Sequence, residues 1–416
     1  MAGLQNEVTR DAIVVGNPGD TVMNNAHRVQ VGGSLSGLMN AIILRHAGYK
    51  VNVLERSHPS QLYSESAGLG VGPNMHALIE KYMPAHEEYA IKMTEYELWD
   101  EQAKIQEKRA LPYPLRMTNW RTIYDMLKSA LMIEWPELPS PTYQTNAEVF
   151  DVRGGSVEVS VRYRDLETGA EEDLQTSFLI AADGANSSVR RKIWQDVSPS
   201  YAGYVLWRGR VPEGQVSWQT REALQDKAVF QRLGNGYMLS YLVPAEPEEI
   251  RRDSKHRRDI FWAFYDKVAK DSSQLKETMT DVDGNVHHNT ITMKKIQPGV
   301  WQEAMGRIKL QACPFYGELM EKTTQLHVSA IQDFPNTKAV FCDDKVILAG
   351  DAMSQCRPHA GGGLNENAFQ ALELAKVLEG VSTLLQWEEI CMESAAKARA
   401  LAIETGKGFL PPGTIS

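Results

Sequence analysis

A glycine-rich turn between an apolar strand and an apolar helix constrains the fold of this chain more than any other segment. Residues 29–37 read VQVGGSLSG, the following helix runs to Gly48, and residues 50–55, KVNVLE, form the next strand. Such glycines permit a tight strand-to-helix turn and close approach of a pyrophosphate, and an acidic residue about twenty positions on, here Glu55, can bind a ribose diol. The pattern predicts a βαβ unit.

Taken alone, this turn is also compatible with an ordinary βα connection, and Glu55 with a solvated strand end. Ser34 stands at the middle glycine of the G-x-G-x-x-G pattern, and polar Gln30 interrupts a strand that should be buried on both faces. A nucleotide-binding interpretation therefore depends on the motifs further along the chain.

A second glycine-rich segment lies near the C-terminus. Residues 346–351, VILAGD, feed a Gly-Asp turn, and residues 357–365, RPHAGGGLN, lead into a helix that ends at Gly380. Its apolar positions are spaced so that one helix face can pack on a sheet. Glycines at a helix N-terminus expose backbone N–H groups that stabilise anions and electron-rich oxygens. This surface suits a large, flat cofactor with polar edges.

A third motif lies between these two. Residues 177–184, SFLIAADG, read as a buried strand ending in Asp-Gly, and residues 185–190, ANSSVR, read as a capped helix start. By itself this pattern predicts only a well-capped strand-turn-helix unit. The order of all three motifs along the chain carries more information than any one of them.

Together, the three motifs resemble those of the single-component FAD-dependent aromatic hydroxylases, the class A flavoprotein monooxygenases. Further matches resemble the 2,6-dihydroxypyridine 3-monooxygenase-like branch, and the resemblance covers roughly residues 27–390. The segments that carry the branch resemblance are residues 201–209, 241–244, 258–265, 283–284, 298–299, 350–352 and 357–359.

The resemblance implies FAD as cofactor, with the first motif at its ADP half, the Asp-Gly motif near both FAD and NAD(P)H, and the late motif at the ribitol and isoalloxazine. The implied cofactor-binding residues are Gly32, Gly33, Ser34, Leu35, Ser36, Gly37, Glu55, Arg56, Asp183, Gly350, Asp351, Pro358, Gly361, Gly362, Gly363, Leu364 and Asn365.

The resemblance also implies the reaction. NAD(P)H reduces FAD, O2 forms a C4a-hydroperoxyflavin, and a phenolic or N-heteroaromatic small molecule is hydroxylated. The protein excludes water and positions the ring. Candidate catalytic residues are Tyr204, Arg208, Tyr241 and His359. Two alternatives stay open: a flavin-dependent epoxidase or oxidative-rearrangement enzyme on the same fold, and a non-catalytic flavin-holding binding protein.

Two departures from the branch concern the substrate more than the cofactor. After its glycines the chain has Leu364, Asn365, Glu366 and Asn367, where the branch usually has a Thr-Ala-Lys-like run. Trp120 aligns where many relatives place an arginine. The expected substrate is therefore not restricted to pyridines.

The expected fold is α/β: a Rossmann-like FAD-binding domain of the p-hydroxybenzoate hydroxylase type with an interleaved mixed β-sheet substrate domain. Residues 1–26 are interpreted as an N-terminal extension. Residues 27–75, 101–195 and 336–380 are assigned to the FAD-binding domain, residues 76–100 and 196–335 to the substrate domain, and residues 381–416 to a C-terminal helical tail.

Composition excludes several other classes of protein. The net charge of -9 argues against nonspecific nucleic-acid binding, and no apolar run is long enough for a transmembrane helix. Four widely spaced cysteines fit reduced thiols in a cytoplasmic protein. The calcium-like segment at residues 281–284 lacks its bidentate Glu, so no metal is expected. A monomer or homodimer is expected.

Overall fold

The computed structural model describes residues 27–62, 67–84, 88–194, 198–253, 257–323 and 325–414. The predicted extension at residues 1–26 lies outside these ranges. In chain order the strands are β1 (His27–Val31), β2 (Lys50–Leu54), β3 (Gly68–Val71), β4 (Ile91–Trp99), β5 (Ile105–Asn119), β6 (Thr142–Gln144), β7 (Ala147–Gly154), β8 (Val159–Asp165), β9 (Glu171–Thr176), β10 (Phe178–Ala181), β11 (Ser200–Pro212), β12 (Lys227–Leu233), β13 (Gly236–Pro244), β14 (Arg258–Lys267), β15 (Thr290–Thr292), β16 (Gln325–Asp333), β17 (Val340–Phe341) and β18 (Val346–Leu348).

The helices lie between these strands and after the last one. They are α1 (Leu35–His46), α2 (Pro59–Leu62), α3 (Pro73–Tyr82), α4 (Trp120–Met132), α5 (Ser188–Ile193), α6 (Trp218–Ala223), α7 (Pro247–Arg252), α8 (Ser273–Thr278), α9 (Pro298–Lys309), α10 (Pro314–Glu321), α11 (Gly363–Leu378) and α12 (Leu384–Phe409). None of these described helices is long and apolar enough to cross a bilayer.

A six-stranded sheet holds the three glycine and aspartate motifs. Its strand order is β17-β18-β10-β1-β2-β6, and every pair is parallel except β17 with β18. Because β1 lies in the centre of this sheet, even polar Gln30 is fully buried, and its side-chain amide donates to the Val31 carbonyl at 3.1 Å. The predicted α/β fold class and the βαβ unit are confirmed.

A nine-stranded, mainly antiparallel sheet lies beside the first, in the order β15-β16-β11-β14-β13-β12-β4-β5-β3. Side chains alternate between its two faces. One face packs apolar residues such as Val205 and Met238 against helices α9 and α10. The other face is rich in tyrosine and includes Tyr204, Tyr237 and Tyr265. We call this second face the tyrosine face.

The strands β3 and β5 belong to the nine-stranded sheet, although both fall within ranges assigned from sequence to the FAD-binding domain. Those domain boundaries stay predictions. A separate three-stranded sheet, β7-β8-β9, is antiparallel, as the alternating segment around β8 indicates.

The final helix, α12, joins the two sheets. Its first half packs in the core of the six-stranded sheet through Trp387 and Cys391, both fully buried. At its other end Phe409 and the following Leu410 pack against the tyrosine face. The C-terminal segment therefore covers part of the region where the two sheets meet.

Candidate active site

Close backbone contacts require glycine at two positions of the first glycine turn. Gly32 has φ of +91°, and a Cβ at this position would lie 2.4 Å from the Ala182 carbonyl oxygen. A Cβ on Gly37 would lie 1.8 Å from the Gly32 carbonyl oxygen. No side chain larger than hydrogen fits at either position, so the turn can bring the start of α1 close to a ligand.

The N-terminus of α1 is open for an anion. Its N-cap residue, Ser34, makes no side-chain capping hydrogen bond. Leu35 and Ser36 occupy the first turn, which contains no acidic residue. The aligned backbone N–H groups of a twelve-residue helix favour negative charge at this end.

Glu55 closes this turn from the neighbouring strand. One carboxylate oxygen accepts a hydrogen bond from Gly33 N at 2.7 Å, and the other accepts one from Ser57 N at 2.7 Å. Each oxygen has a further lone pair, so the carboxylate can still accept a ribose hydroxyl. The adjacent Arg56 is exposed. The structure thus gives Glu55 a turn-forming role that its position in the motif does not specify.

The carboxyl ends of three parallel strands bring the motifs together. Ala182 N donates to the Val31 carbonyl at 2.8 Å, and Ala349 N donates to the Ala181 carbonyl at 2.8 Å. The Gly-Asp turn then reaches α1, because a Cβ on Gly350 would lie 2.5 Å from Ser36 Oγ. Gly32, Asp183 and Gly350 therefore follow adjacent strands at one edge of the sheet.

The Asp183 side chain is occupied by its own helix. Its carboxylate accepts hydrogen bonds from Ser188 N at 2.7 Å and from Ser188 Oγ at 3.0 Å, and it also accepts one from the Ser187 hydroxyl. Asp183 thus caps α5. The Asp183 carboxylate therefore stabilises the start of α5.

Sequence reasoning missed Arg190, which links the second motif to the third. Its buried guanidinium donates to the Ala352 carbonyl at 2.7 Å and to the Ala185 carbonyl. It also lies 4.2 Å above the Phe334 ring. The only sequence signal is an arginine at the start of a short helix, which by itself indicates nothing beyond an exposed charge.

The late motif combines a strained turn with an accessible carboxyl. Gly350 has φ of +61°. Asp351 is exposed to solvent, but protein atoms around it partly desolvate the carboxyl and raise its pKa to about 6. This exposed carboxyl directly follows the Gly350 turn after β18. Such a position suits an acceptor for the hydroxyl groups of a bound ligand.

Three exposed glycines lead from this turn into α11. A Cβ on Gly361, Gly362 or Gly363 would meet no atom within 4 Å, and the N-cap makes no side-chain hydrogen bond. Leu364 is buried behind them, while the Asn365 side chain accepts a hydrogen bond from Asn74 N at 2.8 Å. The start of this sixteen-residue helix is therefore open to a ligand.

These features fit FAD. Two long helices, α1 and α11, begin at glycine turns without a side-chain cap. An accessible carboxyl, Asp351, and a buried one, Glu55, can accept hydroxyl donors.

The four candidate catalytic residues occupy the nine-stranded sheet and the late loop. Tyr204 and His359 are in contact, with ring centroids 5.0 Å apart. Tyr241 packs beside Phe261 at 5.1 Å. Arg208 donates to Ser329 Oγ on β16 at 2.8 Å. Three of the four lie on β11 and β13, and only His359 comes from the cofactor motif.

Two further tyrosines complete the tyrosine face beside His359. Tyr237 stacks on its cross-strand partner Tyr265 with centroids 4.2 Å apart, and Tyr265 stacks on His359 at 4.8 Å. Sequence reasoning did not single out either residue as part of the site. The even spacing of Tyr237 and Tyr241 on β13 predicts a shared face, but only strand pairing shows which residues lie opposite them.

The ionisable groups of this cluster are held neutral. Burial, with a smaller contribution from nearby Arg357, lowers the pKa of His359 to about 3. Burial raises the pKa of Tyr265 to about 12 and the pKa values of Tyr204 and Tyr237 well above their usual range. At neutral pH the cluster therefore offers neutral hydrogen-bonding groups and aromatic surface.

Comparison with known proteins matches this architecture. A family model described as FAD binding domain-like matches residues 201–333. The chain is 30% identical over 355 residues to 2,6-dihydroxypyridine 3-monooxygenase of Paenarthrobacter nicotinovorans, a match that covers 83% of this chain and 81% of that protein. FAD-dependent monooxygenase paxM of Penicillium paxilli is 22% identical over 367 residues, which cover 84% of this chain and 68% of that protein.

Solved structures of FAD-dependent hydroxylases share the fold of this chain. The structure of 2,6-dihydroxypyridine-3-hydroxylase from Arthrobacter nicotinovorans superposes with a TM-score of 0.79 at 26% identity, covering 94% of this chain and 95% of that one. A salicylate hydroxylase substrate complex shares the fold, with a TM-score of 0.64 at 18% identity and coverage of 93% and 90%. The predicted p-hydroxybenzoate hydroxylase type of fold is confirmed.

Proposed function

The chain belongs to the class A FAD-dependent aromatic hydroxylases, and on that premise we propose that it hydroxylates a phenolic or N-heteroaromatic small molecule with NAD(P)H and O2. The observation that carries the proposal is the meeting of the cofactor loop with the tyrosine face at His359. One relative is named for 2,6-dihydroxypyridine, which is an electron-rich ring of this class.

The cofactor is held by the glycine turns at the starts of α1 and α11. We propose that the first turn binds the pyrophosphate, that Glu55 accepts a ribose hydroxyl, and that Asp351 accepts a ribitol hydroxyl. Bound FAD, once reduced by NAD(P)H, supplies the activation of O2. The protein contributes position and exclusion of water.

The substrate ring is proposed to lie between the late glycine loop and the tyrosine face. Support comes from Gly70 of β3, where an added Cβ would lie 3.5 Å from the Gly361 carbonyl oxygen, and from Gly68, where it would lie 2.3 Å from Tyr241 Oη. Strand β3 therefore lies close to both the loop and Tyr241. Neutral tyrosines beside the ring favour an uncharged aromatic substrate, since an unpaired charge is costly to desolvate.

The lowered pKa of the buried His359 imidazole favours a role in orienting the substrate over a role as general base. An imidazole whose pKa is about 3 is a weak proton acceptor at neutral pH. We therefore propose that His359 orients the substrate ring and does not act as a general base.

The test begins with purified protein reconstituted with FAD. We expect a yellow protein whose NAD(P)H oxidation accelerates with 2,6-dihydroxypyridine or a simple phenol and whose product is one oxygen heavier. A product with an epoxide or a rearranged skeleton would identify the first alternative. Flavin binding with no ring-dependent turnover would favour the binding protein, and failure to bind FAD would contradict the proposal.

We also propose that the protein acts in the cytoplasm as a monomer or a homodimer. All four cysteines are free thiols in the structure, which fits a reducing compartment. Light scattering of the FAD-loaded protein measures its mass, and fractionation of cells measures its location.

A further inference from the structure

A short segment of the late motif, residues 357–359, is attached to the nine-stranded sheet on both sides of Pro358. On the first side, Arg357 Nε donates to Asp333 Oδ2 at 2.8 Å, and both residues are buried. Asp333 is the last residue of β16. It also forms an ion pair with Arg399 of α12, with the nitrogen and oxygen atoms 3.3 Å apart.

On the second side of Pro358, His359 is attached to a different strand. Tyr237 Oη of β13 lies 2.7 Å from His359 Nδ1. The imidazole also packs against the rings of Tyr204 and Tyr265, at 5.0 and 4.8 Å. These contacts place the His359 ring within the tyrosine face.

Tyr237 is itself held rigidly. It is fully buried, stacks on Tyr265 with an interplanar angle of 8°, and contacts Phe409 at the end of α12 at 5.0 Å. Its hydroxyl therefore has a fixed position from which to hold His359.

The bond between Tyr237 and His359 joins two neutral groups. Asp333 and Arg399 face this region from β16 and α12, and Arg357 lies two residues before His359 in the chain. Burial lowers the pKa of His359 to about 3 and raises the pKa of Tyr237 well above its usual range, so the two groups bond to each other in their neutral forms at neutral pH.

We infer that Tyr237 is a positioning residue. By holding His359, it fixes the distance of Pro358 and the glycine loop from the tyrosine face. The inference rests on the proposed function, because it assumes that FAD and the substrate ring meet at this loop. Residues 358–360 form a single 3-10 turn, closed by Gly361 N donating to the Pro358 carbonyl at 3.0 Å. Proline has a fixed φ and no N–H donor, so the two side-chain attachments contribute to fixing this turn over the sheet.

The variant Tyr237→Phe removes the hydroxyl and keeps the ring. Its matched control is Tyr316→Phe, another fully buried tyrosine, whose hydroxyl donates to the Val229 carbonyl at 2.7 Å on the opposite face of the sheet. Both variants lose one buried hydrogen bond. Only the bond lost in Tyr237→Phe reaches the cofactor loop.

The first readout is amide hydrogen exchange of the FAD-loaded protein across residues 353–363. For Tyr237→Phe we expect exchange faster by about two- to tenfold, the factor that corresponds to one neutral hydrogen bond. For Tyr316→Phe we expect exchange at the wild-type rate. If the two variants exchange alike in this segment, the inference is wrong.

The second readout is the yield of hydroxylated product per NAD(P)H oxidised. A loosened loop should lower this ratio and kcat in Tyr237→Phe while KM for NAD(P)H changes little. A ratio equal to that of Tyr316→Phe would overturn the inference.

A second variant keeps the test decisive if Tyr237→Phe does not fold. His359→Phe removes the same bond from the less buried partner and should accelerate exchange of the same segment, whereas wild-type exchange would contradict the inference. The proposed function and the positioning role of Tyr237 can be refuted independently. A wild-type protein without ring-dependent turnover would refute the proposed function, while hydrogen exchange would still decide how the loop is attached.

Discussion

Ser36 and Gly350 lie in direct contact although 314 residues separate them in the chain: an added Cβ on Gly350 would fall 2.5 Å from Ser36 Oγ. This contact joins the glycine turn at the start of α1 to the Gly-Asp turn after β18. It explains why the late motif requires glycine for reasons of both space and backbone conformation, since φ at Gly350 is +61°.

Gly350→Ala should therefore be destabilising. We expect the free energy of unfolding to fall by about 1–3 kcal/mol, because the substitution combines left-handed backbone strain with a clash. Denaturant titration of the variant measures this change. Gly299→Ala is the control: Gly299 lies in α9 with no atom within 4 Å of an added Cβ, so its stability should be unchanged or slightly raised. Equal stability of the two variants would contradict the explanation.

Asp351 should make the stability of FAD-free protein depend on pH. Its folded-state pKa is raised to about 6, so the folded protein holds a proton that the unfolded chain has already lost. This contribution is present below the unfolded pKa near 4 and is lost as the pH rises through 6. Thermal melts between pH 4 and pH 7 should therefore show a smaller loss of Tm in Asp351→Asn than in wild type, and parallel profiles would exclude this role.

Asp351→Ala tests whether the same carboxylate binds the cofactor. Removing an acceptor for a ribitol hydroxyl should weaken FAD binding by roughly tenfold, which corresponds to a hydrogen bond to a charged group of about 1.5 kcal/mol. Fluorescence titration of FAD into the FAD-free variant measures the Kd. Wild-type affinity together with full activity would show that the late motif does not bind the cofactor in the proposed way.

Tyr241→Phe should keep the yellow colour of bound FAD and change substrate handling. Tyr241 lies on the tyrosine face beside Phe261 and Gly68, and it belongs to neither glycine turn. We expect a higher KM for the ring substrate or a lower yield of product per NAD(P)H, with an unaltered Kd for FAD. Steady-state kinetics and flavin titration together measure both parts. A loss of flavin with unchanged KM would place Tyr241 at the cofactor.

Arg190→Met should destabilise the cofactor region. The buried guanidinium donates to the Ala352 carbonyl at 2.7 Å, and its loss leaves buried carbonyls unsatisfied, which costs about 2–3 kcal/mol. Arg191→Met is the control, since Arg191 is the next residue and is exposed. Chemical denaturation compares the two variants. A similar effect in both would mean that Arg190 does not hold the two motifs together.

Local spacing along the chain was enough to predict the α/β fold class, and it predicts where the cofactor motifs lie. Strand, glycine turn and helix follow one another directly at Gly32, whereas at Gly361 a longer glycine-containing loop joins the strand to the helix. The backbone requirements of such turns are visible in residue types alone. The parallel pairing of β1, β2 and β10 follows from the same βαβ pattern. The identity of the cofactor, FAD, was predicted from the resemblance to the aromatic hydroxylases and not from spacing.

Only the tertiary structure decided which side chains meet at the site. Tyr237 and Asp333 come from β13 and β16, and no periodicity within one strand reveals that both lie within hydrogen-bonding distance of residues 357–359. Likewise, only the tertiary structure shows that the carboxylates of Glu55 and Asp183 accept hydrogen bonds from backbone N–H groups of their own turns. The physical reason is that side-chain alternation sets the face of a strand, whereas the order of strands and the packing of one sheet on another set its neighbours.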